Sequence, residues 1–147
     1  MESVERFVGA QGESLEASSP APGVLATRIV GHGTAALTRR YIQIARRHLE
    51  EHGRIRVFHD WSGMTGYDPE ARDLIRAFGR TNTDDRVLVR YLVTSKIVSM
   101  AIQTAALVLG REFEATTDKD LFARWVTAAV EAGRSSTRPT TLNRTGR

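Results

Sequence analysis

The 147-residue sequence has no cysteine. That excludes a disulfide framework, thiolate-ligated zinc, an iron–sulfur cluster and a thiol nucleophile. Proline is scarce at 4 residues, and two of these, Pro20 and Pro22, fall in one stretch. No run approaches the ~18 apolar residues that a membrane span needs. The opening Met1-Glu2-Ser3-Val4-Glu5-Arg6 is acidic and lacks the apolar segment of a secretory signal. With 41% hydrophobic and 26% charged residues, the composition fits one soluble, cytoplasmic globular domain. A chain of this size can hide roughly 70% of its extended surface and needs no staple to build a core.

Net charge is also missing from most of the chain. The formal charge of +4 resides in residues 133–147, where Arg134, Arg138, Arg144 and Arg147 stand with no acid. Residues 1–132 are balanced. Their basic clusters, Arg39-Arg40 and Arg46-Arg47, sit on a helix that ends in glutamates. A folded body that grips a phosphate backbone carries a basic stripe, so nucleic-acid binding by this body is not expected.

Residues 1–23 are rich in Ser, Gly, Ala and Pro and read as a flexible arm, with Val4–Val8 as a candidate short edge strand. Residues 133–147 lack apolar periodicity and read as a disordered basic tail. Between them, over 24–132, the pattern alternates. Val24–Val30 is β-rich and stops at Gly31-His32-Gly33. Leu37, Tyr41, Ile44, Ala45 and Leu49 then fall on one helical face, closed by Gly53. Ile55–Trp61 is a second strand, and Asp68 caps a helix that begins at Pro69 and buries Ala71, Leu74, Ile75 and Phe78. Val87–Val93 is a third, nearly all-apolar strand. Ile97–Leu109 is helical and apolar nearly all round, and a short strand near Phe113–Thr116 precedes an amphipathic helix over Lys119–Ala132. The order implies an α/β domain with a mixed or largely parallel sheet of four to five strands and four flanking helices.

The stretch Asp60-Trp61-Ser62-Gly63-Met64-Thr65-Gly66-Tyr67-Asp68-Pro69-Glu70-Ala71 runs from a strand through a polar loop into a capped helix. With the Gly31 turn, Arg72, and Phe122 to Trp125, it resembles the STAS domain family, and more closely its stand-alone bacterial SpoIIAA-like (STAS/Sec14-type) members. In that family an aspartate ends the strand, a Ser/Gly turn follows, and a second aspartate precedes a regulatory serine. Here Asp60, Ser62-Gly63 and Asp68 take the first three places and Pro69 the fourth. Proline has no hydroxyl, which removes the usual phosphorylation switch. Ser62 and Thr65 become the candidate phosphate acceptors. The resemblance implies a non-enzymatic regulatory module, like an anti-sigma factor antagonist, that binds an anti-sigma factor or kinase-like regulator. The residues implied for that face are Asp60, Ser62, Thr65, Tyr67, Asp68 and Arg72.

Other patterns compete with this one. Gly31-His32-Gly33-Thr34-Ala35-Ala36 matches GxGxxA between a strand and a helix, the order that seats a pyrophosphate on backbone N–H groups in a dinucleotide-binding enzyme. Yet the helix's inward stripe starts only at Leu37, and no substrate domain is evident. The apolar helix Ile97–Leu109 allows a homodimer, or a small-ligand or lipid carrier with a cavity behind it. His48 and His52 share a helix face at i,i+4, but there is no HExxH and no third ligand in view, so no metal is assigned. Ser95-Lys96 and His59-Asp60 make no catalytic set, and neither an enzymatic function nor a cofactor is expected.

Overall fold

In the computed structural model, the residues described are 4–81, 86–94 and 114–136. They form six strands and three helices: β1 (Val4–Val8), β2 (Ser14–Ala21), β3 (Val24–Gly33), α1 (Ala35–His52), β4 (Ile55–Tyr67), α2 (Pro69–Thr81), β5 (Val87–Leu92), β6 (Glu114–Thr116) and α3 (Lys119–Ser136). The strands lie in one sheet in sequence order. β1, β2 and β3 are antiparallel neighbours, and β3 to β6 run parallel. The sheet is therefore mixed, as expected, with six strands where the pattern implied four to five. The helix expected at Ile97–Leu109, and with it the carrier and dimer readings, lies outside the described residues.

Each face of the sheet has its own core. Leu15, Leu25, Ile29, Ile55, Val57, Val89 and Tyr91 face α1 and α2, where they meet Leu37, Tyr41, Ile44, Ala45 and Phe78. Val24 and Phe58 face the other way, against Phe122, Trp125, Val126, Ala129 and Val130 of α3. Alternation along β4 explains this division, because successive side chains leave a strand on opposite faces. The helix ends follow their caps. Thr34 accepts the Leu37 N–H through Oγ1 at 3.2 Å, and Gly53, at φ 79°, donates its N–H back to Leu49. Asp118 Oδ1 accepts the N–H groups of Asp120 and Leu121 to start α3.

Two expectations are corrected here. Val4–Val8 is the edge strand that the sequence offered, but the rest of the segment is not a flexible arm: Ser14–Ala21 is a second strand paired with it, and the Leu15 and Ala17 side chains are buried in the main core. The Ser/Pro content that suggested a linker is absorbed by an irregularity in the β2–β3 ladder between Ser18 and Ala21. Pro20, which has no N–H to donate, sits inside that break. At the other end, residues 133–136, expected to start the tail, continue α3. Residues 137–147 lie outside the described residues.

The second correction concerns the turn at Gly31–Gly33 and the loop at Ser62–Gly66. Both are strand. β3 and β4 stay paired as far as Gly33 and Tyr67, with two breaks in register. Between Arg28↔Asp60 and Val30↔Gly63, and again between Gly31↔Met64 and His32↔Gly66, β4 spends one residue more than β3. Such bulges bend a strand and re-aim its side chains. Gly31 has φ 87°, and a Cβ there would come within 3.3 Å of the Glu13 backbone. Only glycine fits that position without strain. Glycine, serine and threonine thus read as loop where they in fact build an irregular parallel ladder.

Candidate functional site

The parallel register brings the ends of β3 and β4 together, and α1 and α2 both start from that edge. Asp68, the residue between β4 and α2, occupies the junction. Its backbone N–H donates to the Gly33 carbonyl at 3.0 Å, and its own carbonyl accepts from Arg72 N–H to open α2. The side chain does not cap α2. Instead Oδ2 accepts the Ala35 N–H at 3.0 Å, the first residue of α1, and Oδ1 lies 2.8 Å from His32 Nε2. One carboxylate therefore joins two strand ends and satisfies a helix-terminal donor that α1 cannot satisfy itself. The Ala35 N–H, and then His32, hold the Asp68 carboxyl below the ordinary carboxylate range.

This contact also bears on the GxGxxA reading. The N–H that would meet a phosphate at the start of α1 is already held by Asp68, and Gly31 and Gly33 lie in the strand rather than in a phosphate-cradling turn.

The six candidate residues fall into two groups. Asp60 and Ser62 lie within β4, where Asp60 pairs in register with Arg28 on one side and Leu92 on the other. Asp60 Oδ1 accepts both the Ser62 N–H at 2.9 Å and the Ser62 hydroxyl at 2.6 Å, a local turn that forms the first bulge. Register also aligns Arg6, Glu16, Arg28 and Asp60 across four strands, a row of alternating charge in which Arg6 and Glu16 stand 3.7 Å apart. Thr65, Tyr67, Asp68 and Arg72 form the second group, at the far end of β4 and on the first turn of α2. Thr65 and Arg72 are exposed and Tyr67 is half-buried. Glu70 forms an ion pair with Arg39 of α1, so the two helix starts are tied at the surface as well as by Asp68. The six residues expected to share one face thus lie in two places that the extended strand keeps apart.

Beneath this edge lies an aromatic cluster that sequence reasoning left unconnected. The His59 imidazole is fully buried, with Nδ1 2.5 Å from Thr27 Oγ1 on the neighbouring strand. Its ring lies 5.3 Å from Trp61, 5.1 Å from Tyr91 and 4.6 Å from Tyr41. Burial drives the His59 pKa down to about 3, and burial with Tyr91 nearby raises that of Tyr41. His59 is therefore neutral at physiological pH and serves the core. Trp61 Nε1 is buried with no hydrogen-bond partner among the described residues. Alternation places residues 57, 59 and 61 on one side of β4, but nothing local marks Thr27 as the partner.

No family model matches the sequence, and no curated protein is detectably similar to it. Among solved structures, the chain is similar to an uncharacterized protein of the DUF3478 family with a SpoIIAA-like fold, from Shewanella loihica PV-4. The TM-score is 0.56 at 17% identity, over 85% of this chain and 93% of that one. At that identity the likeness establishes the fold alone, which is SpoIIAA-like. No helix among the described residues is long and apolar enough to cross a membrane.

Proposed function

We propose that this protein is a non-enzymatic regulatory module of SpoIIAA-like fold that binds a partner protein through the edge where β3 and β4 end and α1 and α2 begin. The observation that carries this reading is the Asp68 clasp. Because its carboxylate is bonded to His32 and Ala35, the two helix starts form one preorganised surface, and a rigid surface loses little entropy on binding. Around it stand Thr65, Tyr67 and Arg72, with Tyr67 offering an apolar ring and a polar tip of the kind enriched in interfaces. An anti-sigma factor or a kinase-like regulator is the partner that the fold suggests.

Pro69 takes the place of the family's regulatory serine, so control by phosphate would fall on the hydroxyls nearby. Ser62 is half-buried and donates to Asp60, and a phosphate there would add a dianion beside a carboxylate. Thr65 is exposed and is the more accessible of the two. Mass spectrometry of the chain from growing and starved cells tests this; phosphate on neither residue in any condition refutes it.

The binding surface itself is tested with Thr65→Arg and Arg72→Glu, exposed positions whose replacement leaves the clasp intact. A regulator captured by the tagged wild-type chain and lost with both variants supports the reading. Equal capture by all three chains counts against it. Asp68→Arg is a poorer probe, because it removes two bonds that hold the fold's edge together.

A further inference from the structure

At the other end of α1, about 25 Å from the clasp along an 18-residue helix, three metal-competent side chains meet. His48, Glu51 and His52 each bring one ligand-type atom to within 4.8 Å of the other two. The imidazoles of His48 and His52 stack with centroids 6.1 Å apart and planes 20° apart, as i,i+4 neighbours on one face do. Glu51 is the third group that the sequence reading did not see. The run His48-Leu49-Glu50-Glu51-His52 has the H-x-x-E-H order by which one helix can present two imidazoles and a carboxylate together.

We propose that His48, Glu51 and His52 form a surface site for a borderline-soft divalent cation, with zinc as the reference ion. Two further observations favour it. His48 Nδ1 is buried with no hydrogen-bond partner among the described residues, a state that native structures seldom leave unexplained. Glu51 and His52 also lie in the last turn of α1, with His48 just before it, where the helix carbonyls favour a cation. The donor set of two nitrogens and one carboxylate suits zinc, copper or nickel far better than magnesium or calcium. Three protein ligands leave a coordination position for water. The expected role is a staple across the C-terminal end of α1.

The test uses the untagged full chain, stripped with chelator and titrated with zinc chloride by calorimetry. One zinc per chain is expected, with a melting temperature that rises by several degrees at saturation. His48→Gln and His52→Gln each abolish the heat while circular dichroism stays that of the wild type, and Glu51→Gln weakens binding. Magnesium at the same concentration gives no heat. The chain has four histidines, so imidazole NMR resonances report the site directly, and those of His48 and His52 should move on adding zinc. Absence of binding, binding unchanged in the His48→Gln/His52→Gln double variant, or shifts confined to His32 and His59 would overturn the proposal.

Discussion

The Asp68 carboxylate accepts the Ala35 N–H at 3.0 Å across 33 residues of sequence, so the start of α1 is held by the residue that precedes α2. This contact, together with the 2.8 Å approach of His32 to the same carboxylate, makes the C-terminal edge of β3 and β4 one body. Everything proposed for partner binding rests on that edge keeping its shape.

Asp68→Asn keeps the side chain's size but removes its charge, and it is expected to lower the melting temperature. The pH dependence carries the sign. Because the folded-state pKa of Asp68 is depressed, its stabilisation is present above the ordinary carboxylate pKa and lost as pH falls through the lower folded value. The gap between wild-type and variant melting curves should narrow as pH drops below about 4. A gap that stays constant down to pH 2 would show that the charge contributes nothing.

His59 gives a second pH signature in a different window. Buried, it takes up a proton only near pH 3, whereas an unfolded histidine does so near 6.5. Between these values the unfolded state binds more protons, so stability falls as pH falls. Urea unfolding at pH 5 is expected to show a loss of about 2 kcal/mol from this residue relative to pH 8. His59→Phe should flatten that slope, at the cost of leaving the Thr27 hydroxyl without its partner.

Leu15→Ala tests whether the first hairpin belongs to the domain. Leu15 has no exposed surface and packs in the main core, so its truncation should cost about 2–5 kcal/mol in urea unfolding. A loss under about 0.5 kcal/mol, the range of an ordinary surface position, would return residues 4–21 to the status of an arm.

Gly31→Ala is expected to destabilise by about 1–3 kcal/mol, because its φ of 87° is costly for any residue with a Cβ. Gly12→Ala is the matched control. It has a similar φ of 85° but nothing within 4 Å of the added carbon, so any excess cost at Gly31 measures the crowding against Glu13.

Periodicity carried most of the fold. α1, α2, β5 and the inward stripe of α3 were legible because apolar residues recur there at 3.6 or 2. Gly53 and Thr34 mark the ends of α1 by local chemistry alone. What escaped were segments whose composition is that of loops: Ser14–Ala21, where small residues pack closely against β3, and Ser62–Gly66, where glycines permit bulges in a parallel pair. Parallel pairing has no local signature, since the residues that meet are tens of positions apart. For the same reason the partners of Asp68 and His59, namely His32, Ala35 and Thr27, could not be read from their neighbours in sequence. Asp68 was singled out as a cap, and it is one, but of the helix before it rather than the helix after it. At α1's far end the two histidines were legible as a pair, and the helical period would also have found Glu51.

Hydrogen exchange of the full chain, alone and saturated with the captured regulator, addresses the central proposal most directly. Protection is expected in peptides that cover Gly31–Arg40 and Thr65–Arg76, the two sides of the Asp68 clasp, with little change in α3. Protection confined to α3 or to the β1–β2 hairpin, with the clasp peptides exchanging as in the free chain, would contradict the assignment of the binding surface.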